Sequence, residues 1–251
     1  MIALPAVLVL LLGAALGSFA NVLIVRMKEG SRLGGRSRCP WCKKTIPAKH
    51  NIPLVSWFVL KARCAMCGKR IHWQYPAVEA AMAVFAVVAF LRHPDDPFTI
   101  GFELLASFCL LVITAFDLRW QLVPLEFTVS SAMLVGAVRV FMGEDVVTVI
   151  LGALTVAFLL GLLVLASRGA WMGEGDPVVG LLMGTALGFP LALAGVVIAF
   201  VIGGTVAAAL LIQGAVTRKT RVPFAPFLAA GTLVAIWWQE PLLSFLNYAI
   251  Q

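Results

Sequence analysis

Two sets of residues in this chain of 251 have types and spacings that can do chemistry. The first is a sparse group of carboxylates. Only 12 Asp and Glu residues occur, and Glu79, Glu103, Asp117, Glu126, Glu174, Asp176 and Glu240 fall within or at the ends of apolar runs. A carboxylate at such a boundary ordinarily marks an interface or caps a helix. Asp117 suits that role poorly, because it lies where an expected helix ends and the helix dipole disfavours negative charge. Asp176 stands in Gly173-Glu174-Gly175-Asp176-Pro177, where it can cap a helix with Pro177 in the first turn. Two carboxyl groups about 3 Å apart cannot easily both ionise, so one can activate water while the other protonates a leaving group. Helix polarity then suggests Asp176 as the ionised base and Asp117 as the protonated acid. The glycines around Asp176 leave room for an extended peptide to approach the backbone.

The second set is Cys39-Pro40-Trp41-Cys42 and Cys64-Ala65-Met66-Cys67, two C-x-x-C pairs separated by 21 residues. This is the spacing of a four-cysteine zinc site, with Cys39, Cys42, Cys64 and Cys67 as ligands. Disulfides or a redox pair are the alternatives, and His50 and His72 are substitute ligands. A closed four-thiolate site has no open coordination position, so it predicts a structural clamp and not zinc-based hydrolysis. Gly68 follows the second pair where the turn favours freedom, and Lys43 occupies the equivalent place after the first. Cys109, alone in an apolar run, reads as a small buried hydrophobe.

The elements that must position these residues follow from composition. The chain is 61% hydrophobic and 12% charged, with a mean hydropathy of +1.00. These values exclude an ordinary soluble domain and point to several membrane spans with one small polar module. Residues 2–25 carry no charge and are long enough to span; Ser18 and Ala20 offer a signal-peptide-like cleavage pattern, but basic residues follow the run and do not precede it. Further spans are predicted at 75–91, 98–116, 124–142, 146–166, 177–190, 192–213 and 223–240. The uncharged stretch from Pro177 to Thr217 is 41 residues. As one helix it would be about 60 Å long, so two spans with a turn near Gly188, Phe189 and Pro190 are expected.

Eight spans from an outside N-terminus put the segments 26–74, 117–123, 167–176 and 214–222 in the cytoplasm. Of the 19 Lys and Arg residues, all but Arg92 and Arg139 then lie inside, as the positive-inside rule requires. Seven or nine spans would misplace a basic cluster. The fold class predicted is an all-α polytopic membrane protein of about eight transmembrane helices. The first helix covers 1–25, a cytoplasmic zinc module 26–74, and a seven-helix membrane domain 75–251. In that module the apolar run Ile52–Leu60 is too short to span and is expected to pack on the membrane surface or against the helices. The formal charge of +7 reflects topology, and nucleic acid is not the expected partner. Oligomeric state is not legible.

Taken in order, the motifs resemble those of the type IV prepilin leader peptidase family. They are Gly17-Ser18-Phe19-Ala20-Asn21-Val22 with Arg26, the C-x-x-C pairs flanking Asn51-Ile52-Pro53-Leu54-Val55-Ser56-Trp57, and Tyr75-Pro76-Ala77-Val78-Glu79. Then follow Asp117 with Pro124 and Thr128, Gly173-x-Gly175-Asp176, and Pro223-Phe224-Ala225-Pro226-Phe227. The resemblance implies an inner-membrane aspartyl endopeptidase that cuts the basic leader of type IV prepilins and pseudopilins at the cytoplasmic face. Asp117 and Asp176 fall on the family's catalytic aspartates. It also implies S-adenosylmethionine-dependent methylation of the new N-terminus, although no soluble-type glycine-rich cofactor loop is visible. The chain departs from the family pattern at Val178, at Leu125 before Glu126, and at Ala225, where lysine, an acidic residue and glycine are common. A related G-x-G-D peptidase with another signal-bearing substrate and a non-enzymatic zinc-containing assembly scaffold are the competing readings. The roles of Glu79, Glu103 and Glu174 stay open; Glu79 is expected at the cytoplasmic end of the second span.

Overall fold

A computed structural model describes residues 3–32, 34–217, 220 and 222–250. Among them the regular elements are all helical: α1 (Ala3–Glu29), α2 (Val55–Val59), α3 (Gln74–Arg92), α4 (Pro97–Trp120), α5 (Leu125–Phe141), α6 (Val146–Ser167), α7 (Asp176–Leu187), α8 (Leu191–Ile212), α9 (Ala225–Trp237) and α10 (Gln239–Ile250), with a single 3-10 turn at Ala48–His50. A helix occurs at each of the eight predicted spans. Five of these, Leu4–Glu29, Gln74–Arg92, Pro97–Trp120, Val146–Ser167 and Leu191–Ile212, are long and apolar enough to cross a membrane. The other three are shorter, with 17 residues in α5, 12 in α7 and 13 in α9. At 1.5 Å per residue, α7 is about 18 Å long, little more than half a hydrocarbon core. Of the basic segment 214–222, Arg218, Lys219 and Arg221 lie outside the described residues, as do Met1 and Ile2 of the first predicted helix.

The chain divides into two compact units, Met1–Ala115 and Phe116–Gln251. In the first, α1 packs along α3 because small residues remove the steric barrier between the backbones. A Cβ on Gly13 would lie 2.6 Å from the Ala86 Cβ, and one on Gly17 would lie 2.6 Å from the Glu79 Cα. Asn21, buried in α1, donates to the Tyr75 carbonyl at 3.0 Å, and its Oδ1 accepts from Gln74 at 3.5 Å. The Gly17-to-Asn21 and Tyr75-to-Glu79 motifs are thus two sides of one helix contact. Farther along, Met82 and Ala86 form a core with Leu104, against which Val9, Leu16 and Phe108 pack.

In the second unit α7 is central. It packs against α5, α6, α8 and α9, and eight of its twelve residues are buried. Glycines permit the closest approach: a Cβ on Gly152 of α6 would meet the Gly184 carbonyl of α7 at 2.6 Å. The predicted turn separates α7 from α8, with Gly188 at φ +69° and the Phe189 N–H donating to the Thr148 carbonyl. Helix α10 is an element the sequence reading lacks. Glu240 and Pro241 look like an end to the chain's last apolar run, yet the backbone restarts as helix at Gln239, after Trp238 breaks the α9 geometry.

Candidate active site

Asp117 lies in the last turn of α4 and Asp176 opens α7, both within the second unit and each 5% exposed. Asp117 escapes the unfavourable end of its own helix through a distant one. Its Oδ2 accepts a 3.2 Å hydrogen bond from the Ala225 backbone N–H, the first residue of α9. That N–H is free to donate because the first turn of a helix has no internal acceptors for its amides. Pro226 favours the helix start at this point. The motif Pro223-Phe224-Ala225-Pro226-Phe227 therefore supplies a backbone donor for Asp117, a link 108 residues long in sequence.

Asp176 is the first helical residue of α7, with Gly175 at the cap position, one residue from the expected cap. Its carboxylate reaches back to accept from the Gly173 N–H at 2.8 Å. Gly175 is required by crowding, since a Cβ there would lie 2.6 Å from the Val123 Cβ. Thr128, fully buried, donates to the Pro124 carbonyl at 3.0 Å and braces the turn that leads into α5. Burial also separates Asp176 from its neighbour, because Glu174 is exposed, as are Glu126 and Glu240.

Both carboxylates accept from backbone amides near helix N-termini, so the dipole argument that assigned ionised base to Asp176 and acid to Asp117 no longer distinguishes them. Ala225 is the site group that the sequence reading did not assign. Its only signal was the pair of prolines, Pro223 and Pro226, that flank Phe224 and Ala225, and a backbone amide has no side-chain signature.

In the first unit, the Sγ atoms of Cys39, Cys42, Cys64 and Cys67 all lie within 4.8 Å of one another, with Cys39 and Cys67 at 3.9 Å. Tetrahedral zinc with bonds of about 2.3 Å sets sulfurs about 3.8 Å apart, so the four thiols, the Cys39–Cys67 pair already at 3.9 Å, would hold a zinc ion with at most a small closure of the cluster. Each pair forms the same knuckle. Lys43 donates to the Cys39 carbonyl at 2.9 Å and Gly68 to that of Cys64 at 2.8 Å, with φ of +55° and +68° at these equivalent positions. Lys43 thus adopts the glycine-like conformation that its place in the motif demands. The Met66 backbone N–H leads in pulling the Cys64 thiol down to about 7, whereas Cys67, despite the Lys69 backbone N–H, is pushed up to about 11 by desolvation and by the three neighbouring thiols. His72 instead accepts from the Gln74 N–H, and neither it nor His50 belongs to the four-sulfur cluster. Cys109 is buried within α4, as expected.

Glu79 has a structural partner: its Oε2 accepts from the Leu54 N–H at 2.6 Å and joins the loop before α2 to α3. Glu103 pairs with Arg92 at 2.9 Å and with His93 at 3.2 Å.

The N-terminal part of the chain, residues 11–93, matches the family model described as the bacterial peptidase A24 N-terminal domain. A prepilin leader peptidase/N-methyltransferase of Bacillus subtilis (strain 168) is 28% identical over 93% of this chain and 94% of its own length. A type 4 prepilin-like proteins leader peptide-processing enzyme of Escherichia coli O78:H11 is 29% identical over 90% and 91%. A further relative, a prepilin leader peptidase/N-methyltransferase of Legionella pneumophila, is 28% identical over 94% of this chain and 92% of its own. The chain is thus similar to prepilin leader peptidases over nearly its whole length. No solved structure matches. With five helices able to span and relatives aligned from end to end, the chain is a multi-pass membrane protein.

Proposed function

We propose that this chain is an aspartyl endopeptidase of the inner membrane that removes the basic leader of type IV prepilins or pseudopilins, with Asp117 and Asp176 as the catalytic pair. The observation that supports the proposal is two buried carboxylates in one compact unit, each held by a backbone amide near a helix N-terminus. Two carboxyl groups brought close together share one proton. The ionised carboxylate takes a proton from water as its oxygen attacks the scissile carbonyl. The protonated carboxyl then passes its proton to the departing amine as the C–N bond breaks, which leaves the pair to exchange protonation states. A substrate with a positive leader in the cytoplasm and an apolar helix in the bilayer presents its bond at the interface.

The names of the relatives support a second step, methylation of the freed N-terminal amine. S-adenosylmethionine, when bound, would supply the methyl group there; no residue is assigned to it. The four cysteines would hold zinc as a clamp on residues 26–74.

Full-length protein reconstituted with a purified prepilin tests the reading. Asp117→Asn and Asp176→Asn should each lower the cleavage rate by roughly 10²- to 10⁴-fold while the protein still inserts and folds, and the wild-type pH–rate profile should show two apparent ionisations belonging to the pair. Undiminished cleavage in either variant would overturn the dyad. Intact precursor with folded wild-type enzyme would instead favour a different substrate. If both substitutions leave pilus assembly untouched while cysteine substitutions abolish it, the scaffold reading prevails.

A further inference from the structure

Residues 30–78 contain ten Lys and Arg residues and no Asp or Glu. A zinc ion held by four thiolates has a net charge of −2, which leaves this module strongly positive. Part of that charge surrounds a cavity of about 330 Å³ lined by Trp57, Lys61, Arg63, Arg70 and Trp73. Its construction is specific. Arg63 and Arg70 face each other across an isolated antiparallel bridge, on the two arms of the second cysteine knuckle. Like charges directly opposite in such a pair repel and destabilise it. No carboxylate pairs with Lys61, Arg63 or Arg70 among the described residues.

The backbone holds a third cation beside them in a conformation that L side chains rarely adopt. Lys61 and Ala62 are consecutive left-handed residues, at φ +49° and +55°. The strained turn is secured by Ala62 donating to the Trp57 carbonyl at 2.8 Å and by Ile71 donating to the Ala62 carbonyl at 2.7 Å. Such strain persists where surrounding structure enforces it, and it gathers at ligand-binding sites. Three exposed cations without carboxylate partners around one cavity suit an anionic oxygen ligand.

The surroundings of the cavity identify its source. Trp73 on the cavity wall is 65% exposed, and Phe58 and Val59 at the end of α2 are 66% and 71% exposed. Apolar and aromatic side chains exposed beside clustered cations are the signature of an interfacial segment in contact with anionic lipid. We propose that the cavity lined by Lys61, Arg63 and Arg70 binds the phosphate headgroup of an anionic phospholipid and so anchors the cysteine module to the membrane surface.

Native mass spectrometry of the full-length, zinc-loaded protein, released from micelles containing phosphatidylglycerol, phosphatidylcholine or inorganic phosphate, tests this. Phosphatidylglycerol should be retained in preference to phosphatidylcholine. Removing two cations with Arg63→Gln and Arg70→Gln together should weaken that retention roughly thirtyfold, and Lys61→Asn, which suits the left-handed backbone, roughly fivefold. Zinc content reports on the fold, and if the double variant loses zinc, Lys61→Asn decides. Equal retention of the two lipids, or retention unaffected by Lys61→Asn, would overturn the proposal. Retention of inorganic phosphate without lipid preference would overturn the lipid assignment. No prepilin is present, so failure of the peptidase reading would leave these results unchanged.

Discussion

Gly175 shows how little freedom the residues around Asp176 have. A methyl group there would meet the Val123 Cβ at 2.6 Å, and the adjoining Asp176 carboxylate is already fixed by the Gly173 amide. Overpacking of this kind costs about 1–3 kcal/mol and displaces the backbone that aims the carboxylate. Gly175→Ala should therefore cut prepilin cleavage at least about tenfold, because angstrom-scale misplacement of a catalytic group is that costly. Removing the obstructing Cβ with Val123→Gly should restore part of it, and a cleavage assay on the single and double variants measures the coupling. Glu174→Gln, at an exposed position one residue away, should change the rate by no more than about twofold.

At the level of elements, α7 poses a physical problem that Arg139 answers. A helix of 12 residues packed against four others leaves its last carbonyls without partners inside the helix. Arg139, on α5, donates to the Ala186 carbonyl at 3.0 Å and, over a longer 3.5 Å, to that of Leu187. Its charge is balanced by Glu144 at 2.9 Å. The far end of the Asp176 helix is thus capped by a side chain from a neighbouring helix. Arg139→Leu would leave those carbonyls and Glu144 without the guanidinium, a loss of about 2–4 kcal/mol. The expected result is a lower thermal midpoint in detergent, with Arg139→Lys intermediate, since an ammonium keeps the charge but not the fork. An unchanged midpoint in Arg139→Leu would show that the guanidinium does not stabilise the end of α7.

Across the whole molecule, the two basic residues that fell on the wrong side of the charge map both have carboxylate partners. Arg92 pairs with Glu103 and Arg139 with Glu144, so neither weighs against an outside location as a free charge would. The orientation that follows has its own test. Reporter fusions after Arg70 and Arg168 should read as cytoplasmic, and fusions after Asp96 and Glu144 as external. A reversed or mixed pattern would remove the common face on which Asp117 and Asp176 are proposed to work.

Several features were legible without coordinates because they are local or periodic. The positions of eight helices follow from apolar run length, the turn at Gly188-Phe189-Pro190 from the excess length of one run, and the four-sulfur cluster from C-x-x-C spacing. The resemblance to prepilin peptidases follows from motif order. What local pattern could not decide was which groups meet. The choice of Asp176 over Glu174 depends on burial, the tolerance of Asp117 at its helix end on an amide 108 residues away, and the shortness of α7 on a cap from α5. Backbone donors and helix ends have no sequence signature of their own. They become chemical groups only when another element packs against them, so the aspartates could be read from sequence, whereas the amides that hold them required the tertiary structure.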